Sequence, residues 1–133
     1  MPDGSLDECI LYVWGMGDTE ADTQVTIVRK DTQATVWSWR ASDHLAEIDD
    51  SAFDPNAPDD GSWTHVNAAT MLPNGDVLIN LRDFQLTLIV NYFDGSVVNQ
   101  FNWSVYGVGG IDVDPHEPEW IPGAPSRVVV ALQ

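Results

Sequence analysis

Trp63-Thr-His-Val-Asn67, followed a few residues later by Leu72-Pro-Asn-Gly-Asp-Val-Leu-Ile-Asn-Leu-Arg-Asp-Phe84, decides how the chain is read. An Asn-Gly step between alternating apolar residues is the strongest short-range hairpin signal. Strands of about His65 to Leu72 and Asp76 to Leu81 should therefore meet across a tight turn at Pro73, Asn74 and Gly75. Antiparallel pairing carries His65, at the start of the first strand, and Arg82, just past the second, to the same end of the hairpin.

Outward from this hairpin the same grammar continues. Leu86 to Tyr92, a turn at Asp94-Gly95, and Val97 to Trp103 extend it to four consecutive strands. Upstream, Cys9 to Trp14, Gln24 to Arg29 and Ala34 to Trp39 are short β-branched and aromatic runs, the last two joined by a turn at Asp31 and Thr32. Residues 41–62 depart from the pattern: Ser42 or Asp43 is expected to cap one short turn through Ile48. Asp54-Pro-Asn-Ala-Pro-Asp-Asp-Gly is then a loop, and the whole segment reads as an insertion on one rim. Downstream, Pro115-His-Glu-Pro-Glu-Trp-Ile-Pro opens a new strand, and Arg127 to Leu132 supplies the next.

Stacking these pieces exposes a repeat. Ile27-Val28 with Trp37-Ser-Trp39 echoes Ile89-Val90 with Phe101-Asn-Trp103, while His65 and Val77-Leu-Ile79 echo His116 and Val128-Val-Val130. Four strands per unit of roughly 40–50 residues, without helices, is the pattern of an all-β fold built from β-propeller blades. With strands labelled a to d from the central channel outward, residues 1–40 are a partial blade b-c-d. Residues 63–104 are then a complete blade, and residues 105–133 a partial blade a-b. About two and a quarter antiparallel blades do not close a propeller, which takes at least four. The expectation is a homo-oligomer or a fragment of a larger propeller.

Charge narrows the function classes. The chain carries 21 acidic residues, sixteen of them Asp, against 5 basic ones, for a formal net charge of −16 over 133 residues. That field repels nucleic acid and anionic membranes, and no apolar run approaches the ~20 residues a membrane span needs. A calcium-binding reading finds no Asp-x-Asp-x-Asp-Gly loop. The Asp-rich, Lys-poor balance matches a halophilic protein, because at ~1 M salt the Debye length falls to ~3 Å and self-repulsion is screened. One cysteine, Cys9, leaves no internal disulfide and no cysteine-rich metal site. The acidic first residues are neither a signal nor a transit peptide.

Chemistry concentrates at the strand starts. Two imidazoles, His65 and His116, facing one funnel can bind a metal, move protons or act as nucleophiles, or can simply tie neighbouring loops together. Arg82, one of only four arginines, suits a small anionic ligand, or a salt bridge to Asp83 or Asp76. Asn67, two residues after His65, shares its strand face by alternation and would orient the ligand or the ring. Trp63 and Trp120, beside the two histidines, would wall a ring-shaped substrate. His44 reads as a loop residue, and Glu117 and Glu119 as carboxylates that set the His116 tautomer or are solvated.

Trp63-Thr-His-Val-Asn67, Leu72 to Phe84, Asp114-Pro-His-Glu-Pro-Glu119 and Val36-Trp-Ser-Trp-Arg-Ala-Ser-Asp-His-Leu45 together resemble the arylsulfotransferase family, especially its haloarchaeal members. The resemblance spans roughly residues 24 to 132. It implies a propeller enzyme that moves a sulfuryl group from one phenol to another through a sulfated histidine, without nucleotide, metal or other cofactor. Carried over by position, His116 resembles the nucleophile, and His65 and Arg82 resemble the channel residues that hold the sulfuryl oxygens. Aryl sulfates and phenols would be the small-molecule partners, and the compartment would be extracytoplasmic. A further family histidine, on the strand before His65, has no counterpart here. The alternative is a non-catalytic, propeller-derived binding or self-assembly module.

Overall fold

In the computed structural model, residues 9–14, 24–51, 64–106, 115–121 and 124–132 are described. Every strand pair among them is antiparallel and no α-helix occurs, so the chain is all-β. Strands β1 (Cys9–Trp14), β2 (Gln24–Arg29) and β3 (Thr35–Arg40) form one sheet. A second contains β4 (Val66–Met71), β5 (Val77–Leu81), β6 (Leu86–Val90) and β7 (Val97–Asn102) in sequence order. A third pairs β8 (Pro115–Ile121) with β9 (Ala124–Leu132), a strand that starts three residues before the expected Arg127.

Turn chemistry explains the hairpins. Gly75 N–H donates to the Leu72 carbonyl at 2.9 Å, and Leu72 N–H to the Asp76 carbonyl at 2.8 Å. Gly75 has a φ of 94°, a left-handed conformation that costs glycine almost nothing. The β2–β3 and β6–β7 connections share a different pattern. Arg29 N–H donates to the Ala34 carbonyl and Gln33 N–H to the Arg29 carbonyl; Asn91 N–H donates to Ser96 and Gly95 N–H to Asn91. The left-handed residue is Gln33 in the first loop and Gly95 in the second.

The central strands of the four-stranded sheet are buried on both faces, which is why β5 and β6 are apolar apart from Asn80 and Thr87. Val77, Ile79, Leu81, Leu86, Leu88 and Val90 share one face with Val25 and Trp39 of the first sheet and with Ala41 and Ile48. Leu78 and Ile89 lie on the other face with Leu72 and Phe101, and β8 packs on β4, β5 and β6. Indole donors link the first two sheets: Trp37 Nε1–H to the Tyr92 carbonyl at 2.8 Å and Trp39 Nε1–H to the Gly95 carbonyl at 2.9 Å.

Residues 41–51 bind along the outer strand β7. A 3-10 turn spans Ala41–His44, capped by Arg40 with no side-chain hydrogen bond. Neither Ser42 nor Asp43 is the cap, because β3 runs in extended geometry directly into the turn at Arg40 (φ −125°, ψ 133°). Glu47 Oε2 accepts the Val97 N–H at 2.7 Å, Gln100 Nε2 donates to the Glu47 carbonyl at 3.0 Å, and Asn102 Nδ2 donates to Asp49 Oδ2 at 2.7 Å. Backbone donors of an outer strand left open invite pairing with other chains, and Glu47 occupies one of them.

Candidate functional site

Arg82 opens a 3-10 turn, Arg82–Phe84, that links β5 to β6 at the end of the sheet where His65 precedes β4. Arg82 N–H donates to the His65 carbonyl at 3.1 Å, extending the β4–β5 ladder by one step. Gln85 closes the turn in a left-handed conformation, φ 53°. His65 is itself left-handed, φ 45°, a conformation that costs a non-glycine residue roughly 1–2 kcal/mol. Its strained backbone turns the imidazole to the guanidinium: Arg82 Nη1 lies 3.0 Å from His65 Nδ1.

That contact sets a tautomer. A guanidinium only donates, so Nδ1 accepts and the ring proton sits on Nε2. Asp83 Oδ1 stands 3.7 Å from both Arg82 Nη1 and His65 Nδ1, too long for a hydrogen bond but close enough to offset the guanidinium charge. All three side chains are about a quarter exposed, so the group reaches solvent. The ion-pair reading of Arg82 is thus met by Asp83, with the guanidinium also against His65.

Asn67 does not share a strand face with His65 by simple alternation. The β4–β5 register shifts between Val66 and Ala68, which makes Asn67 a bulge residue, and His65 lies outside the extended region. Asn67 instead ends a buried polar relay that sequence reasoning missed. Trp103 Nε1–H donates to Thr87 Oγ1 at 2.8 Å, Thr87 Oγ1–H to Asn80 Oδ1 at 2.7 Å, and Asn80 Nδ2–H to Asn67 Oδ1 at 2.6 Å. Asn80 and Thr87 are both fully buried. Their signal was present: each is a lone polar residue in an otherwise apolar strand, on one face of a directly opposed pair.

Of the other candidates, Trp63 and its surroundings lie outside the described residues. His116 and Trp120 are placed by backbone only, His116 opposite Ala131 and Trp120 opposite Val128 in the β8–β9 hairpin. Both histidines thus begin or precede a strand that runs along the four-stranded sheet. His44 stacks on Trp39, ring centroids 5.3 Å apart, with Nδ1 2.9 Å from Glu47 Oε1. The hydrogen bond from His44, and then the one from Val97, hold the Glu47 carboxyl below its usual range.

A cleft of about 290 Å³ opens elsewhere, at the far end of β4, lined by Cys9, Leu11, Ile27, Ala69, Thr70 and Met71. None of these six lining residues is charged, and the cleft is separate from the His65–Arg82 group. Among the described residues no three His, Cys, Asp or Glu side chains converge as metal ligands. No helix there is long and apolar enough to cross a membrane. No protein-family model, no curated protein and no solved structure matches the chain.

Proposed function

We propose that the chain is part of a β-propeller that binds sulfuryl oxyanions and serves as a nucleotide-independent arylsulfotransferase, with His116 as nucleophile. The observation that carries the reading is the 3.0 Å contact between Arg82 and His65 in a chain with only 5 basic residues against 21 acids. It brings a guanidinium and an imidazole together at one partly exposed end of the sheet, a pairing that suits an oxyanion. The matching hydrogen-bond pattern of the β2–β3 and β6–β7 loops, and the three-, four- and two-stranded sheets, support repeated blades.

In the proposed step a His116 ring nitrogen attacks sulfur of an aryl sulfate, the S–O bond to the donor breaks, and the proton given up by the other ring nitrogen passes through water to the departing oxygen, so the donor leaves as a phenol. The acceptor phenol oxygen then attacks sulfur, the S–N bond breaks, and the acceptor's proton returns to the imidazole. Negative charge spreads over the sulfuryl oxygens in both transfers, where Arg82 and the His65 Nε2–H would stabilise it. Trp63 and Trp120 would flank the aryl rings, and the remaining channel wall would come from further blades, on other copies or in a longer chain.

The test is turnover of an aryl sulfate with phenol as acceptor, in molar KCl, by wild type and His116→Ala. Loss of turnover in the variant alone supports the mechanism, and equal rates remove His116 from it. A second reading, a binding module without chemistry, draws on Asp83, which tempers the cationic character of the pair. Phenyl sulfate binding with no turnover at the assembled mass would select it.

A further inference from the structure

The β4–β5 and β8–β9 hairpins carry their histidines at the same register position. Arg82 N–H donates to the His65 carbonyl, so His65 stands opposite Arg82, and Ala68 stands opposite Asn80. Three steps along the first strand thus answer two along the second, a bulge of one residue. In the other hairpin His116 stands opposite Ala131 and Glu119 opposite Val129, again three steps against two. Matching the two registers puts His116 on His65, Glu119 on Ala68 and Ala131 on Arg82. A cation therefore opposes the first histidine and an alanine the second, while the carboxylate three residues on belongs to the second strand alone.

We infer that Glu119, and not Glu117, is the proton-accepting partner of His116. Ala131 and Val129 alternate along β9 and so share one face, which their opposite numbers His116 and Glu119 share with them. Without the extra residue, an odd spacing of three would put these two on opposite faces. Residues 117 and 118 together answer Val130, which places Glu117 on the other face. Two ladder positions are roughly 7 Å apart, a separation that long side chains on one face span. The inference rests on the sulfuryl-transfer reading above and adds a proton carrier to it. As a His116 ring nitrogen bonds to sulfur, the S–O electron pair passes to the donor oxygen. The proton on the other ring nitrogen goes to the Glu119 carboxylate and from there, through water, to that oxygen. In the return half the acceptor phenol gives its proton to Glu119 as its oxygen attacks sulfur. The S–N bond breaks, the proton goes back to the imidazole, and the carboxylate ends as it began.

The test compares kcat/KM for two donors, phenyl sulfate and 4-nitrophenyl sulfate, with a naphthol acceptor in molar KCl. Wild type, His116→Ala, Glu119→Gln, Glu119→Asp and Glu117→Gln are measured. Nitrophenolate departs without a proton, whereas the more basic phenolate needs one. Glu119→Gln should therefore slow phenyl sulfate at least about a hundredfold and 4-nitrophenyl sulfate less than about tenfold. Glu117→Gln should stay within about twofold of wild type for both donors. A loosened hairpin would slow both donors alike, so equal losses in folded Glu119→Gln, or none, overturn the inference while the sulfuryl-transfer reading stands. If Glu119→Gln does not fold, Glu119→Asp decides: its carboxylate, one methylene back, should slow phenyl sulfate more than 4-nitrophenyl sulfate, and equal losses overturn the inference. A donor-selective loss in Glu117→Gln instead overturns it as well. Wild type without turnover, or His116→Ala as active as wild type, overturns both the inference and the reading beneath it.

Discussion

Replacing Arg82 by Gln and Asp83 by Asn should shift oxyanion affinity in opposite directions. The guanidinium would meet a bound anion at about 4 Å, where a charge pair is worth ~1 kcal/mol in bulk water and ~4 kcal/mol near a protein surface. Arg82 is 30% exposed, which favours the lower half of that range, ~1–2 kcal/mol. At about 1.4 kcal/mol per tenfold, Arg82→Gln should weaken phenyl sulfate roughly 5- to 30-fold. Asp83 Oδ1 lies 3.7 Å behind Nη1, so its charge acts on the ligand from about twice the distance. Asp83→Asn should tighten binding by roughly two- to fivefold. Salt separates the two effects: with the Debye length falling from ~8 Å at 0.15 M to ~3 Å at 1 M, the Asp83 effect should fade first. Calorimetric titration at the lowest KCl that keeps the chain folded, and again at molar KCl, reads both. An unchanged affinity in Arg82→Gln, or weaker binding in Asp83→Asn, refutes the electrostatic account of the site.

Three further outcomes are expected. Gln33→Gly should raise stability by about 0.5–1 kcal/mol in chemical denaturation, because Gln33 (φ 58°) holds the left-handed position that Gly95 holds in the matching loop. Gly95→Ala should lower it, since the added Cβ meets a left-handed backbone (φ 75°) and the His44 ring at 3.4 Å. Protection of the Val97 amide, corrected for intrinsic exchange, should stay level from neutral pH to about pH 4.5 and fall below it. Glu47 titrates below its ordinary 4.5, so the bonds it accepts are complete above that value and are lost as pH drops through the lowered one; protection independent of pH would detach Val97 from that carboxylate. The thermal midpoint should rise from dilute buffer to molar KCl, as screening relieves the net charge of −16; a flat response would remove the halophilic reading.

The strands were legible because their signals are local. Asn74-Gly75 fixes a hairpin within five residues, and the apolar runs around Val77 and Leu88 can be buried only as strands covered on both faces. The meeting of His65 with Arg82 was legible for the same reason, since it follows from antiparallel pairing across that turn. Alternation failed at Asn67 because it assumes an unbroken ladder. The extra residue in β4 and the positive φ of His65 are answers to tertiary contacts, to a buried amide on β5 and a guanidinium past its end. The cap at Arg40 escaped notice likewise, as burial of Trp39 and Ala41 sets where that turn begins and outweighs the capping preference of Ser42. What could have been read is the conflict itself. Asn80 among Val77, Leu78, Ile79 and Leu81, facing Thr87 across the ladder, breaks the apolar pattern of two central strands at one point. A polar pair kept there at the cost of desolvation must be satisfied by further polar groups on the neighbouring strands. Asn67 and Trp103, on either side, are the residues in place to do so.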